Sequence, residues 1–212
     1  MIAAAAGLDG TARRALGELF ALYRPPVLAY LRRHAESDAD DLAQGFFEQL
    51  MRLNSHASAD PAKGSFRNFL MVALKRFVMN QREAANALKR GGGCANLDIE
   101  STELTTDHTP EREFDREFAK VVVRQALKHL ESEASRAGKL ALFQTLSPFL
   151  FDAGDPQDYA RAAEALGMRR NTVAVAVHRL RQRLQELVRQ EVLGLVEDER
   201  DVESEVRALR IA

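Results

Sequence analysis

The stretch from Asp158 to Leu184 constrains the fold more than any other part of this 212-residue chain. An alanine-rich run, in which Ala163 and Gly167 lie four apart, leads into a longer segment with apolar residues at spacings of three and four. This periodicity predicts two helices that approach each other at a small side chain and turn at a glycine. The apolar stripe of the second helix consists of Val173, Ala176, Val177, Leu180, Leu184 and Leu187. The segment is therefore predicted to be a helix-turn-helix.

The face opposite this stripe is basic and polar, and no acid interrupts residues 168–183. Arginine suits guanine edges and phosphates, amides suit adenine edges, and an exposed valine suits a thymine methyl. Arg169 stands where an N-cap Ser or Asp is expected, at a cost of about 1 kcal/mol, and a phosphate arriving at the helix start would explain a cation there. The predicted DNA-binding residues are Arg169, Arg170, Asn171, Ala174, Val175, His178, Arg179, Arg181 and Gln182. The alternative, an ordinary amphipathic helix with a solvated face, usually mixes both signs of charge.

The composition predicts an all-α protein without membrane insertion. The chain is 46% hydrophobic and 29% charged, and it is rich in Ala, Leu, Arg and Glu, which favour helices. It has no apolar run of membrane-spanning length, and its start lacks the basic region of a signal peptide, so a cytoplasmic location is expected. Cys94 is the only cysteine, which excludes an intrachain disulfide and a cysteine-based metal cluster.

The net charge of −1 is the sum of segments that carry opposite charges. Residues 63–90 contain seven Lys and Arg against the single acid Glu83, whereas residues 98–117 contain eight acids against two arginines. Because salt confines each patch to about a Debye length, the local charges decide which partners bind.

The spacing of apolar residues and the positions of helix-breaking residues predict the order of helices along the chain. We expect two helices broken at Pro25-Pro26 over residues 11–34, a third from Asp38 or Asp40 to about Asn54, and a fourth from about Ser65 to Leu88 that Gly91–Gly93 ends. A polar, acidic linker follows over 94–110. Further helices are predicted at 111–137 and 139–151, with a turn at 152–158 before the helix-turn-helix and a charged helix at 197–209. Two helical domains, 10–93 and 111–195, and a tail at 196–212 are therefore expected.

Three stretches resemble a bacterial RNA polymerase sigma factor of the extracytoplasmic-function type. Asp38-Ala-Asp-Asp-Leu-Ala-Gln44 resembles the Asp-Ala-Glu-Asp-Leu-Val-Gln signature of region 2 in that family. Gly64-Ser-Phe-Arg-Asn-Phe-Leu70, continuing to Arg90, resembles the helix that grips and melts the −10 element. Tyr159 to Leu184 resembles the part of region 4 that reads the −35 element. The resemblance covers most of residues 10–190 and implies region 2 at 10–93 and region 4 at 111–195.

The resemblance also implies partners and roles. Docking on the RNA polymerase core would fall to Asp38, Asp40, Asp41 and Gln44. Contacts with the −10 element of promoter DNA would come from Arg67, Asn68, Lys75, Arg82, Asn86 and Lys89. Gly45 departs from the family, which often has Glu there. The missing charge could weaken binding to the polymerase core, which would then need a further contribution. An anti-sigma factor or a Ser/Thr kinase would control activity, and Ser55 is the candidate phosphorylation site. The protein would associate with the nucleoid when bound to polymerase.

Two other functions fit the sequence less well. A stand-alone dimeric helix-turn-helix regulator would leave the basic helix at 65–90 unexplained, and nothing at 1–95 suggests a ligand pocket. An enzyme is not expected, because the five histidines lack metal-ligand spacing and no nucleophile elbow or phosphate-binding glycine motif is present. No catalytic residue, metal or cofactor is predicted.

Overall fold

The computed structural model describes residues 10–34, 38–54, 65–91, 109–152 and 154–211, and within these ranges every regular element is helical. This confirms the all-α prediction. The α-helices are α1 (Gly10–Arg32), α2 (Ala39–Asn54), α3 (Phe66–Gly91), α4 (Pro110–Arg136), α5 (Leu140–Leu146), α6 (Pro156–Leu166), α7 (Arg170–Leu193) and α8 (Val202–Ile211). Short 3₁₀ helices at Ser147–Leu150 and Glu199–Asp201 follow α5 and precede α8.

The chain forms two compact units. The first contains the described residues up to Val121 together with those from Leu195 onward, and the second is Val122–Gly194. Helix α4 thus begins in the first unit and ends in the second. These units divide the chain differently from the sequence-based modules, which placed 111–195 together and left 196–212 as a tail. Most of the predicted linker at 94–110, with Cys94, lies outside the described residues.

The first helix is continuous, so the predicted break at Pro25-Pro26 is wrong. Proline disfavours a helix interior because it lacks an N–H and crowds the preceding turn, but its fixed φ is itself helical. Tertiary packing offsets that local cost here: Tyr23, Val27 and Leu31 on either side of the prolines are buried along one face of α1. A break would have turned one of these groups away from the core.

The core of the first unit combines α1, α2 and α3. Aromatic rings join the three helices: Phe20 lies 4.7 Å from Phe47, and Phe46 lies 5.6 Å from Phe77, between ring centroids. Leu70 and Leu74 of α3 are fully buried among them. The predicted apolar faces are mostly confirmed. Met51 is an exception, since it is 40% exposed near the end of α2.

The start of α4 and the C-terminal segment complete the first unit. Phe118 of α4 stacks on Tyr23 with the centroids 4.9 Å apart. The backbone N–H of Phe66 donates to the carbonyl of Leu195 at 2.7 Å, and Val202 and Val206 of α8 are buried. The predicted charged terminal helix is present as α8. Its apolar side packs in the first unit, which the charge pattern did not indicate.

The second unit packs the end of α4, α5 and the helix-turn-helix around two apolar clusters. One contains Leu130, Phe143 and Leu184, and the other contains Leu146, Ala163 and Val177. A polar contact reinforces the packing: the Arg183 guanidinium donates to both oxygens of Glu133, at 2.9 and 2.6 Å. These hydrogen bonds hold the pKa of Glu133 below its ordinary value. Apolar packing and this ion pair thus hold α7 in the second unit.

Candidate nucleic-acid interface

The turn between α6 and α7 has the geometry of a defined helix-turn-helix. Asp155 caps α6 by accepting from the backbone N–H groups of Gln157 and Asp158, and the Asp158 carboxylate accepts from the N–H of Asp155. Gly167 ends α6 in the left-handed region at φ +61°, which favours glycine. The N–H of Met168 then donates to the carbonyl of Ala163 at 2.9 Å. Both ends of α6 are therefore fixed by local hydrogen bonds.

Helix α7 is amphipathic as predicted. Val173, Val177, Leu184 and Leu187 are buried, whereas Val175 is 50% exposed. The exposed residues of the predicted DNA face are Arg169, Arg170, Asn171, Ala174, Val175, His178, Arg179 and Gln182. They occupy the start of the helix and its outer side, and none of them is an acid. This surface, the α7 outer face, can offer both hydrogen-bonding and apolar groups to base edges.

The start of α7 lacks a side-chain cap. Arg169 is the N-cap residue with extended backbone, and its side chain makes no capping hydrogen bond. Its carbonyl accepts from the N–H groups of Thr172 and Val173, as an N-cap carbonyl does. Two arginines, Arg169 and Arg170, therefore stand at the positive end of a helix. Such an arrangement suits an anion.

Arg181 does not belong to the α7 outer face. Its guanidinium donates to the backbone carbonyl of Phe149 at 3.1 and 2.6 Å and to that of Asp152 at 2.9 Å. These bonds satisfy carbonyls at the end of the 3₁₀ helix after α5, so the side chain has a structural task. Its prediction as a DNA contact is corrected on this ground.

The second basic surface is the outer side of α3, where Asn68, Lys75, Arg82 and Asn86 are exposed. Lys75 pairs with Glu111 at 2.9 Å, and the Arg82 guanidinium lies 2.9 Å from Nδ1 of His34. Partial burial alone would raise the pKa of Glu111, but the hydrogen bond and charge of Lys75 hold it below its ordinary value. The side chain of Lys89 lies outside the described part of the chain. We call this surface the α3 basic face.

Arg67 is placed differently from the other predicted −10 contacts. Its side chain is only 15% exposed and pairs with Asp115 of α4 at 2.7 Å and with Glu205 of α8. Burial lowers the pKa of a guanidinium, but the hydrogen bonds to Glu205 and Asp115 raise that of Arg67 above its ordinary value. In this structure Arg67 does not present its charge to the outside.

Three further side chains lie on the α3 basic face. Arg76 is exposed beside Lys75, and the apolar side chains of Val72 and Met79 are 48% and 60% exposed. Sequence reasoning overlooked Val72 and Met79 because apolar residues are expected to face the core. Their seven-residue spacing, which Asn86 continues, would have aligned them on one side of α3.

The exposed face of α2 is acidic at its start. Asp38 immediately precedes α2, Asp40, Asp41 and Gln44 lie in its first turns, and the three acids are exposed. Asp40 forms an ion pair with Arg24 of α1, and the Gln44 amide donates to Glu48 at 3.1 Å. Asp38 and Asp41 show no ion pair within the described part of the structure. The candidate phosphorylation site Ser55 lies outside the described residues.

Two other classes of site receive no support from the described residues. They contain no group of three or more His, Cys, Asp and Glu side chains that could hold a metal ion. None of the described helices combines the length and apolar character needed to cross a membrane. Comparisons with protein-family models, with curated proteins and with solved structures give no match for this chain.

Proposed function

We propose that this protein is an alternative sigma factor of the extracytoplasmic-function type, which directs RNA polymerase core to specific promoters. The observation that carries the proposal is the occurrence of three surfaces in one all-helical chain. They are the acidic start of α2, the α3 basic face and the α7 outer face behind a capped turn. A stand-alone regulator needs only the last of these.

The α7 outer face would read the −35 element from the major groove. Its first turns offer Arg170 and Asn171 to base edges, with Ala174 and Val175 one turn later. Arg169 at the helix start and His178 and Arg179 further along suit phosphates. Helix-turn-helix proteins contact bases chiefly with the N-terminal part of the second helix, where these side chains lie.

The α3 basic face would bind the −10 element as the duplex opens. Lys75, Arg76 and Arg82 provide cations for a phosphate backbone, and Val72 and Met79 provide apolar surface between them. Single strands are bound through cations on the phosphate backbone and through contacts with the bases, to which these two side chains would offer apolar contact rather than aromatic stacking. The amides of Asn68 and Asn86 add hydrogen-bonding groups at either end.

The acidic start of α2 would dock on polymerase through carboxylate contacts with basic partner residues. Asp38 and Asp41 are the acids there without an ion pair among the described residues, whereas Asp40 already pairs with Arg24. An anti-sigma factor, or phosphorylation at Ser55, would then regulate this surface.

The proposal is tested by adding purified protein to bacterial RNA polymerase core and selecting promoters from a random library. We expect association with core at micromolar concentration or tighter, and transcription from promoters that share two separated elements. Tight operator binding by a dimer without core would instead support the stand-alone regulator. Absence of core association, with the phosphorylated and the unphosphorylated chain alike, contradicts the proposal.

Matched variants separate the acidic start of α2 from the α7 outer face. D38N/D41N should weaken core binding but leave promoter choice unchanged, with E18Q on the exposed side of α1 as its control. R170A and N171A should change the selected −35 sequence, because each removes a base contact of about 1–3 kcal/mol. Q185A, exposed on the same helix beyond the α7 outer face, should not change that sequence.

A further inference from the structure

A groove of about 510 Å³ lies in the second unit, where the end of α4, the start of α5 and the first half of α7 line it. Sites for small organic molecules usually have volumes of about 300–1,000 Å³ and a mostly apolar lining. The lining here includes Leu142, Met168, Ala176 and Leu180, each of which is only partly buried. Among the described residues that line the groove, Thr172 alone has a polar side chain without a charge. The second unit thus keeps a concave apolar surface open to solvent.

The charged residues that line the groove leave a net positive charge. Glu133 and Arg183 belong to the lining, but they form an ion pair with each other at 2.6 Å. Lys139 and Arg179 also line the groove, both are exposed, and neither shows an ion pair within the part of the chain that the structure describes. A molecule that covers the apolar lining therefore gains most if it also carries a negative group.

The groove and the α7 outer face share two residues. Val175 and Arg179 line the groove and also belong to that face, where Arg179 suits a phosphate of bound DNA. A carboxylate bound by Arg179 would take the guanidinium from the phosphate, because both groups accept from its forked donors. A negatively charged molecule in the groove and DNA on the α7 outer face therefore exclude each other at this side chain.

We propose that the groove binds a small amphipathic anion, a carboxylate on an unbranched alkyl chain, which competes with −35 DNA for helix α7. The alkyl chain fits the lining because it has no polar group that needs a hydrogen-bond partner, and its carboxylate meets Lys139 and Arg179. The competition rests on the DNA-reading role proposed for the α7 outer face, whereas the ligand site does not depend on that role. Binding of such a ligand would lower the occupancy of −35 elements without a protein partner.

The first measurement is a titration of the full chain with 11-(dansylamino)undecanoic acid, whose fluorescence rises in an apolar site. We expect saturable binding to one site at micromolar concentration. The carboxamide of the same probe should bind about tenfold more weakly, since it loses the attraction of two exposed cations that contribute about threefold each. Absence of saturable binding overturns the proposal, and slower hydrogen exchange in residues 130–143 on addition of polymerase core would then assign the groove to a protein partner.

Matched variants locate the bound probe. A134F places a ring in the groove and should abolish saturable binding, whereas A141F, at an exposed position of α5 outside the groove, should leave it unchanged. K139Q changes only an exposed side chain and should weaken binding about threefold, with K128Q on the exposed side of α4 as its control. Equal binding by the natural chain and A134F, or by K139Q and K128Q, would place the probe elsewhere and contradict the proposal.

The second measurement follows a duplex that carries the −35 sequence recovered by promoter selection. A saturating concentration of the probe should weaken its binding to the natural chain about fivefold, and to A134F less than twofold. By thermodynamic linkage, the duplex should weaken probe binding by the same factor. Unchanged affinity for the duplex would overturn the proposed competition. The probe titrations use neither DNA nor polymerase, so a failure of the sigma-factor function does not alter their outcome.

Discussion

Gly45 occupies an interior position of α2 although nothing in its surroundings requires a glycine. A Cβ built there would lie 3.7 Å from Cζ of Phe77, which is an ordinary van der Waals contact. Glycine inside a helix is less favourable than alanine by about 1 kcal/mol because it loses more backbone freedom. The residue therefore lowers the stability of the helix whose acidic start is proposed to dock on polymerase.

We predict that G45A raises the free energy of unfolding by about 0.5–1 kcal/mol, as measured by urea denaturation. G167A is the matched control. Its residue adopts φ +61° at the end of α6, so alanine there should destabilise the protein by about 1 kcal/mol. A loss of stability in G45A would show that packing near Phe77 is tighter than the 3.7 Å contact indicates.

Arg179 and Arg181 lie two positions apart in α7 but have different surroundings. Arg181 donates to the carbonyls of Phe149 and Asp152, whereas Arg179 is exposed. R181A leaves acceptors unpaired and should cost about 1–3 kcal/mol of stability. R179A should leave stability within about 0.5 kcal/mol and weaken binding of −35 DNA. Thermal melts and DNA titrations of both variants check this, and a stable R181A protein that has lost only DNA binding would restore Arg181 to the interface.

Periodicity could predict which side of α7 is buried, but it could not identify this role of Arg181. The helical wheel places Arg181 on the polar side with His178 and Gln182. Its carbonyl partners lie about thirty residues earlier: Phe149 is in a 3₁₀ helix that was predicted as the end of an α-helix, and Asp152 follows it in the predicted turn. A contact of that range depends on tertiary structure, and a long cationic side chain can reach backbone groups from a polar position.

Helix α1 meets α3 at His34, just after its last turn. Nε2 of His34 is buried without a hydrogen-bond partner among the described residues, while Nδ1 faces the Arg82 guanidinium at 2.9 Å. Burial, and then the charge of Arg82, hold the pKa of His34 below its ordinary value of 6.5, although Glu111 opposes them. The neutral ring therefore fits the folded state better than the charged ring.

Acid should accordingly weaken the first unit. A histidine whose pKa is depressed by folding contributes stability that is present above its unfolded pKa and is lost as the pH falls below it. We expect the melting temperature of the natural chain to decrease between about pH 7 and pH 5.5 more than that of H34Q. Parallel decreases in the two proteins would show that His34 has no part in the effect.

The local sequence predicted where most helices form and which of their faces are buried. It did not predict which segments α1, α4 and α8 pack against. The two prolines of α1 favoured a break that the burial of Val27 and Leu31 offsets. The acidic start of α4 was predicted to belong to the second domain, because no sequence pattern shows that Asp115 pairs with Arg67. Local patterns determine helices, and contacts between distant segments determine which unit a helix joins.

At the scale of the whole molecule, the first unit is built from two separated parts of the chain. Helix α8 belongs to it through Val202 and Val206, which are 8% and 4% exposed, and through Glu205 on Arg67. The second unit is continuous, from Val122 to Gly194. The stability of the first unit should therefore depend on residues encoded after the helix-turn-helix.

V202A/V206A should destabilise the first unit by about 3 kcal/mol, since each change removes two buried carbon atoms at about 0.8 kcal/mol apiece. Hydrogen exchange should become faster in residues 66–78 and remain unchanged in residues 170–190. R207A, exposed on the same helix, is the control and should alter neither. Faster exchange confined to residues 170–190 would show that α8 supports the other unit.

The discontinuity of the first unit has a consequence for synthesis on the ribosome. Chains usually fold from the N-terminus as they emerge. Here residues 195–211, which supply Leu195, Val202 and Glu205, are translated after the entire second unit. The helix-turn-helix can thus complete its folding before α8 has been synthesised, whereas the N-terminal helices cannot complete the first unit without α8. The first unit is therefore the first to be synthesised in part and the last to be completed.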